Sequence, residues 1–159
     1  MSSDVVLVLS AFGIGIVAGL RSMTAPAIVS WAGRLHRLDL RDSRLAFFAS
    51  VAAVYIFSAL GIGELVADKL PFVPNRTSLL PMAFRILSGA LCGAALCISA
   101  NRLVPEGALL GGLGAANGAL GGFHVRRLLV KHLKIQDIVI ALAEDALAIG
   151  AGVFIVSRF

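Results

Sequence analysis

Residues 138–157 read IVIALAEDALAIGAGVFIVS, and the interpretation of this stretch decides the fold. Only Glu144 and Asp145 interrupt its apolar character. A helix of about 20 mostly apolar residues is what crosses the hydrocarbon core of a bilayer. The run therefore reads as a spanning helix with two carboxylates sunk about two turns into it.

Other runs of the same kind lie outward from it. Residues 5–20 (VVLVLSAFGIGIVAGL) are uncharged, Arg21 follows, and SMTAPAIVSWAG continues at 22–33. Residues 45–63 are uncharged and lead into GELVADKLP. Arg85 alone separates 77–84 from 86–101, and 107–123 (GALLGGLGAANGALGGF) leads into HVRR. The spacing predicts five spans, over 5–32, 45–69, 79–101, 107–128 and 137–157. Backbone polar groups in lipid must be paired within the segment, so the spans are expected to be α-helices. A barrel would alternate polar and apolar residues, and no alternation is present. The expectation is an all-α polytopic transmembrane bundle forming a single integral membrane domain, 1–159. If 107–125 is instead re-entrant, the large basic loops fall on one side.

The composition agrees. Of the 159 residues 58% are hydrophobic and 14% charged, with mean hydropathy +0.93. An ordinary soluble domain has roughly a quarter of its residues charged. A disordered chain, a disulfide-built secreted module and an ordinary soluble enzyme are excluded. The start, MSSD, carries an acid where a signal peptide needs bases, so the first run is expected to be retained as a span. The net charge of +5 sits beside apolar runs, which points to anionic lipid headgroups and not to nucleic acid. Cys92 and Cys97 lie within one apolar run and read as small packing residues.

The first run is too long for one span. LRSMTAPA holds Ser22 and Thr24, both good N-caps, and Pro26 just inside a helix start. A helix that stops near Arg21 and restarts near Thr24 fits this pattern, as does a proline kink. Discontinuous helices commonly form transporter sites. The chain also has a weak internal symmetry. A glycine-bearing helix ending in Arg21 precedes the acids Glu64 and Asp68; a glycine-rich helix ending in Arg126 and Arg127 precedes Glu144 and Asp145. One span lies between the pairs, so the second runs opposite to the first, as in an inverted repeat. Basic residues divide evenly between the two sides and give no orientation.

Gly15 and Gly19, and Gly114, Gly118 and Gly122, recur every fourth residue. Small residues at this spacing let helices approach closely in lipid. Asn117 sits among them and is expected to bond a neighbouring helix or serve as a ligand.

The acids carry the functional expectation. A charge at the bilayer centre costs roughly 3 kcal/mol on insertion scales, so such groups pair, face water or take up a proton. Glu64 and Asp68, at i and i+4, share one helix face. Glu144 and Asp145 are the deeper pair. Partners on offer are Arg21, Lys69, Arg76, Arg85 and His124. One reading is a set of buried ion pairs, Arg21 with Glu144 or Asp145 and Arg85 with Asp68. A second is a hydrated acidic site for a hard cation or proton, since carboxylate oxygens do not suit soft metals, and a third is an anion site made by Arg21 and the restarted helix N-terminus.

The segments GLR at 19–21, GELVADKLPFVP at 63–74 and AEDALAI at 143–149 resemble a family of small bacterial membrane proteins described as a domain of unknown function. The matching positions are Gly19 and Arg21; Glu64, Asp68, Lys69 and Pro71; Glu144 and Asp145. The resemblance implies a bacterial inner-membrane location and brings no activity with it. The Glu64–Lys69 block also loosely resembles the acidic motifs of calcium and manganese cation/proton exchangers, which carry Gly where this chain has Ala67.

No P-loop, GxSxG or HExxH pattern is present, so an enzyme is not expected, nor a cofactor. The segment 34–44 (RLHRLDLRDSR) reads as a short interfacial helix or loop. The expected function is a small transporter or channel for an inorganic cation, linked to protons. Glu144, Asp145, Glu64 and Asp68 would bind the ion, and Arg21, Lys69, Arg85 and Asn117 would be counter-ions or gating groups. A homodimer or higher oligomer is expected, because five short helices enclose little interior. The alternative is a non-transporting scaffold, packed on lipids or a partner, whose buried charges are structural.

Overall fold

The computed structural model describes residues 3–67, 79–133 and 137–159. Asp68, Lys69, Pro71 and Arg76 lie outside the described residues. All regular structure among the described residues is helical: α1 (Ser3–Leu20), α2 (Thr24–Arg34), α3 (Val51–Ala67), α4 (Leu79–Ser99), α5 (Val104–Leu133) and α6 (Asp137–Val156). A 3-10 turn, Ala46–Ala49, precedes α3.

The first apolar run becomes two helices, divided at residues 21–23. The glycine-rich run at 107–125 lies inside the continuous α5, about 45 Å long. Of the five predicted spans, two coincide with helices long and apolar enough to cross a bilayer, α4 and Ile138–Val156 of α6. Two more, α1 and α3, are apolar but shorter. The remaining helix, α5, carries His124, Arg126, Arg127 and Lys131 toward its end.

Glycine sets the closest packing, where α1, α4 and α5 meet. A Cβ on Gly15 would overlap the main-chain oxygen of Gly111, and one on Gly93 would overlap that of Gly107. Gly114 and Gly118 meet the backbone of α1 at Phe12 and Ile16. Backbone-to-backbone contact of this kind is open only to residues without side chains at the crossing. Around this trio, α2 packs on α3, and α6 lies across α1 and α2.

The segment 35–45 is neither a helix nor a simple exposed loop. Leu38, Leu40 and Leu45 turn inward and are buried, while Arg37, Asp39 and Arg41 point outward or sideways. This is a local two-residue alternation. Two residues with positive φ close helices here, His36 (58°) after α2 and Asn101 (54°) after α4. In each case the next amide reaches back to the final turn, Arg37 to Ala32 O (2.9 Å) and Arg102 to Cys97 O (2.8 Å). A left-handed residue after the helix makes this closure, and Asn is among the few side chains that tolerate it.

Candidate functional site

The division between α1 and α2 leaves carbonyls at one helix end and amides at the next without intrahelical partners. Ser22 and Thr24 were the expected caps, yet α2 begins after Met23 with no side-chain cap of its own. Glu64, from α3, takes that role. Its Oε1 accepts from the Ser22 amide (2.8 Å) and hydroxyl (2.9 Å), and its Oε2 accepts from the Met23 amide (2.8 Å). A carboxylate at a helix N-terminus also meets the positive end of the macrodipole.

The other side of the break is closed from α4. Arg85 donates through Nη1 to the carbonyls of Gly19 and Leu20, the latter at 2.9 Å, where the dipole favours a cation. Ser88, one turn further on, donates to Ser22 O at 2.5 Å. The two caps face each other, with Arg85 Nη2 4.0 Å from Glu64 Oε1. Arg85 thus faces Glu64; the pair with Asp68 that the sequence suggested involves a residue outside the described residues.

Arg21 lies within the break and is fully buried. Its guanidinium reaches α6, placing Nη2 2.5 Å from Asp145 Oδ1 and 4.0 Å from Glu144 Oε2. The same Glu144 oxygen stands 3.8 Å from Nη1 of Arg126, on α5. Charge thus alternates in the order Asp145, Arg21, Glu144, Arg126, two acids against two guanidiniums. Taking ions out of water costs several kcal/mol each unless they are paired, and this row meets that requirement.

The row ends at a half-open cavity of about 280 Å³ between the end of α1, α5 and α6. Leu20, Val125, Leu129, Ile140 and Leu147 make its walls apolar, with Arg126 and Glu144 among the lining residues.

The structure gathers Arg21, Glu64, Arg85, Glu144 and Asp145 around one break. It does not bring Asn117 there: that side chain is exposed, and its Nδ2 donates to Leu113 O of its own helix at 2.8 Å. His124 likewise stays on its own helix, with Nδ1 2.7 Å from Leu120 O. Sequence reading missed two members. Arg126 stands in the sequence only as one of the bases ending the glycine-rich helix, and nothing local ties it to Glu144. Ser88 carried a usable signal, since it follows Arg85 by three residues and so shares its helix face. Among the described residues, no group of three or more His, Cys, Asp or Glu converges to hold a metal ion.

Over residues 8–157 the chain matches the family described as a domain of unknown function (DUF4126), and it belongs to that family. Comparison with curated proteins and with solved structures finds no match.

Proposed function

We propose that this member of the DUF4126 family resides in a membrane as a bundle of about five spans and moves an inorganic cation in exchange for, or together with, protons. The observation that carries this reading is the alternating row Asp145–Arg21–Glu144–Arg126, which runs from a buried carboxylate to the wall of a cavity. Membrane residence is supported by the outward faces of the helices. Leu142, Leu147, Val153 and Phe154 on α6, and Leu79, Leu80, Phe84 and Leu87 on α4, are all exposed. An exposed apolar surface of this extent needs lipid or a partner to cover it.

In this reading Glu144 is the group that exchanges partners. Its Oε2 is shared between two guanidiniums at 3.8 and 4.0 Å, whereas Asp145 is held by Arg21 at 2.5 Å. A proton or cation arriving from the cavity neutralises Glu144, and Arg21 then rests on Asp145 alone. The arginines keep the empty site neutral, which lets it persist in a low-dielectric interior. The absence of a multidentate acidic cluster among the described residues fits a proton or a weakly held ion better than a tightly bound metal.

One observation favours the second reading, a scaffold that transports nothing: both carboxylate oxygens of Glu64 and the guanidinium of Arg85 are engaged in closing the helix break. The two readings separate in proteoliposomes loaded with a pH-sensitive dye and offered monovalent and divalent cations in turn. Transport requires flux by the wild type and its loss in a folded Glu144→Gln variant. A silent wild type leaves the scaffold.

A further inference from the structure

A second surface carries a separate inference. A groove of about 560 Å³ runs along α4 beside the start of α5, remote in sequence from the charged row. Its floor and walls are apolar, with Leu87, Leu91, Ala94 and Ile98 from α4 and Val104 and Ala108 from α5. Arg44 and Ser43 are the polar residues of its lining. From Leu87 to Ile98 the helix rises about 16 Å, which is half the hydrocarbon thickness of about 30 Å, the depth of one leaflet.

The polar part of the groove's lining comes from the loop after α2. The Asp39 amide donates to Ser99 Oγ at 3.0 Å, which ties the loop to the end of α4. Ser43 Oγ donates to Leu40 O (2.8 Å) and accepts from the Leu45 amide (3.2 Å), shaping the turn that presents Arg44. Residues 34–44 hold Arg34, Arg37, Arg41 and Arg44 against Asp39 and Asp42, a local excess of positive charge. Arg41 is taken up by the His36 ring, with Nη2 2.9 Å from Nδ1. Arg44 is exposed, and among the described residues it has no hydrogen-bond or ion-pair partner.

We infer that this groove binds one anionic phospholipid, with an acyl chain along α4 and the phosphate on Arg44. An apolar trough about one leaflet long, whose lining includes the exposed cation Arg44, matches the apolar and anionic parts of such a lipid. The inference rests on the membrane residence proposed above and not on transport.

The test uses a reporter in the groove. Trp31 is the chain's single tryptophan; it is changed to phenylalanine and Leu87→Trp is introduced at an exposed groove position. Leu91→Trp is the second reporter if the first does not fold. The protein is reconstituted in phosphatidylcholine vesicles containing brominated phosphatidylglycerol, or in the converse mixture with brominated phosphatidylcholine. The expected result is about fivefold preference for phosphatidylglycerol at the reporter, the worth of one basic side chain at an anionic surface, and parity in Arg44→Gln. Three results overturn the inference: equal quenching by both lipids, a preference that survives Arg44→Gln, or no quenching by either because a second copy covers the groove. A protein that cannot be reconstituted at all would instead sink the membrane reading.

Discussion

Arg85 and Glu64 face each other across the division between α1 and α2, 4.0 Å apart, one on the carbonyl end and the other on the amide end. Each charge sits where a helix dipole favours it, and together they replace the continuous helix that residues 21–23 interrupt.

Removing one member should therefore weaken the bundle. Glu64→Ala strips two amides and a hydroxyl of their acceptor, and hydrogen bonds to a charged group contribute roughly 1.5–3 kcal/mol each in context. Glu64→Gln retains an acceptor for one side and should lose less. Chemical unfolding in detergent micelles measures both. Equal stability of Glu64→Ala and the wild type would remove Glu64 from the capping role.

Arg21 and Asp145 should behave as a unit. Asp145→Asn leaves Arg21 buried against a weaker partner, and breaking a buried pair costs about 3–5 kcal/mol. The double variant Arg21→Met, Asp145→Leu should recover most of that loss, because no uncompensated charge is left inside. A double variant as unstable as the single one contradicts the pairing.

Arg126 separates stability from function. Its side chain is 17% exposed and stands 3.8 Å from Glu144. Arg126→Gln leaves Glu144 with Arg21 and should cost less than breaking a fully buried pair, about 3–5 kcal/mol. On the proposed transport reading it should nevertheless change the rate of flux, since Glu144 loses one of its two guanidiniums. An unchanged rate in an active protein would count against Glu144 as the exchanging group.

Glycine positions should divide sharply. Gly15→Ala pushes a methyl group into the Gly111 carbonyl and should cost about 1–3 kcal/mol or more. Gly150→Ala meets nothing within 4 Å, and as a helix-interior change should be neutral or stabilising by up to about 1 kcal/mol. Similar losses at both sites would mean that α1 and α5 do not touch along their glycines.

Trp31 reports on the surroundings. It is about half exposed, with Nε1 donating to Ser58 Oγ at 3.1 Å. In reconstituted vesicles, brominated acyl chains should quench its emission more than aqueous iodide does. The reverse order would place this face of α2 in water.

Much of the architecture was legible in the chain. Apolar runs punctuated by charge located the helices to within a few residues, because helix formation and burial depend on local composition. Ser22, Thr24 and Pro26 marked the division of the first run. The two-residue alternation of Leu38 and Leu40 was hidden inside a charged loop, and α5 outran its predicted end, since nothing at residue 128 stops a helix.

The site was legible only in part. Arg21, Glu64, Arg85, Glu144 and Asp145 stood out because charge is rare in apolar runs. The pairing of Arg21 with Glu144 or Asp145 was among the readings the sequence offered, whereas those of Arg85 with Glu64 and of Arg126 with Glu144 were not. The Met23–Glu64 bond joins residues 41 apart, and Arg85 reaches back 66 positions to Gly19.

By itself the sequence determined an all-helical chain with a first run too long for one helix and a few acids and bases set within apolar segments. These are consequences of residue type and local spacing. The tertiary structure alone decided that Glu64 and Arg85 cap the break and that Arg21 binds Asp145. Once water is excluded, each charge must find its partner within about 4 Å. Which partner stands that close depends on how the glycine faces of α1, α4 and α5 dock, and that docking is a property of the assembled helices.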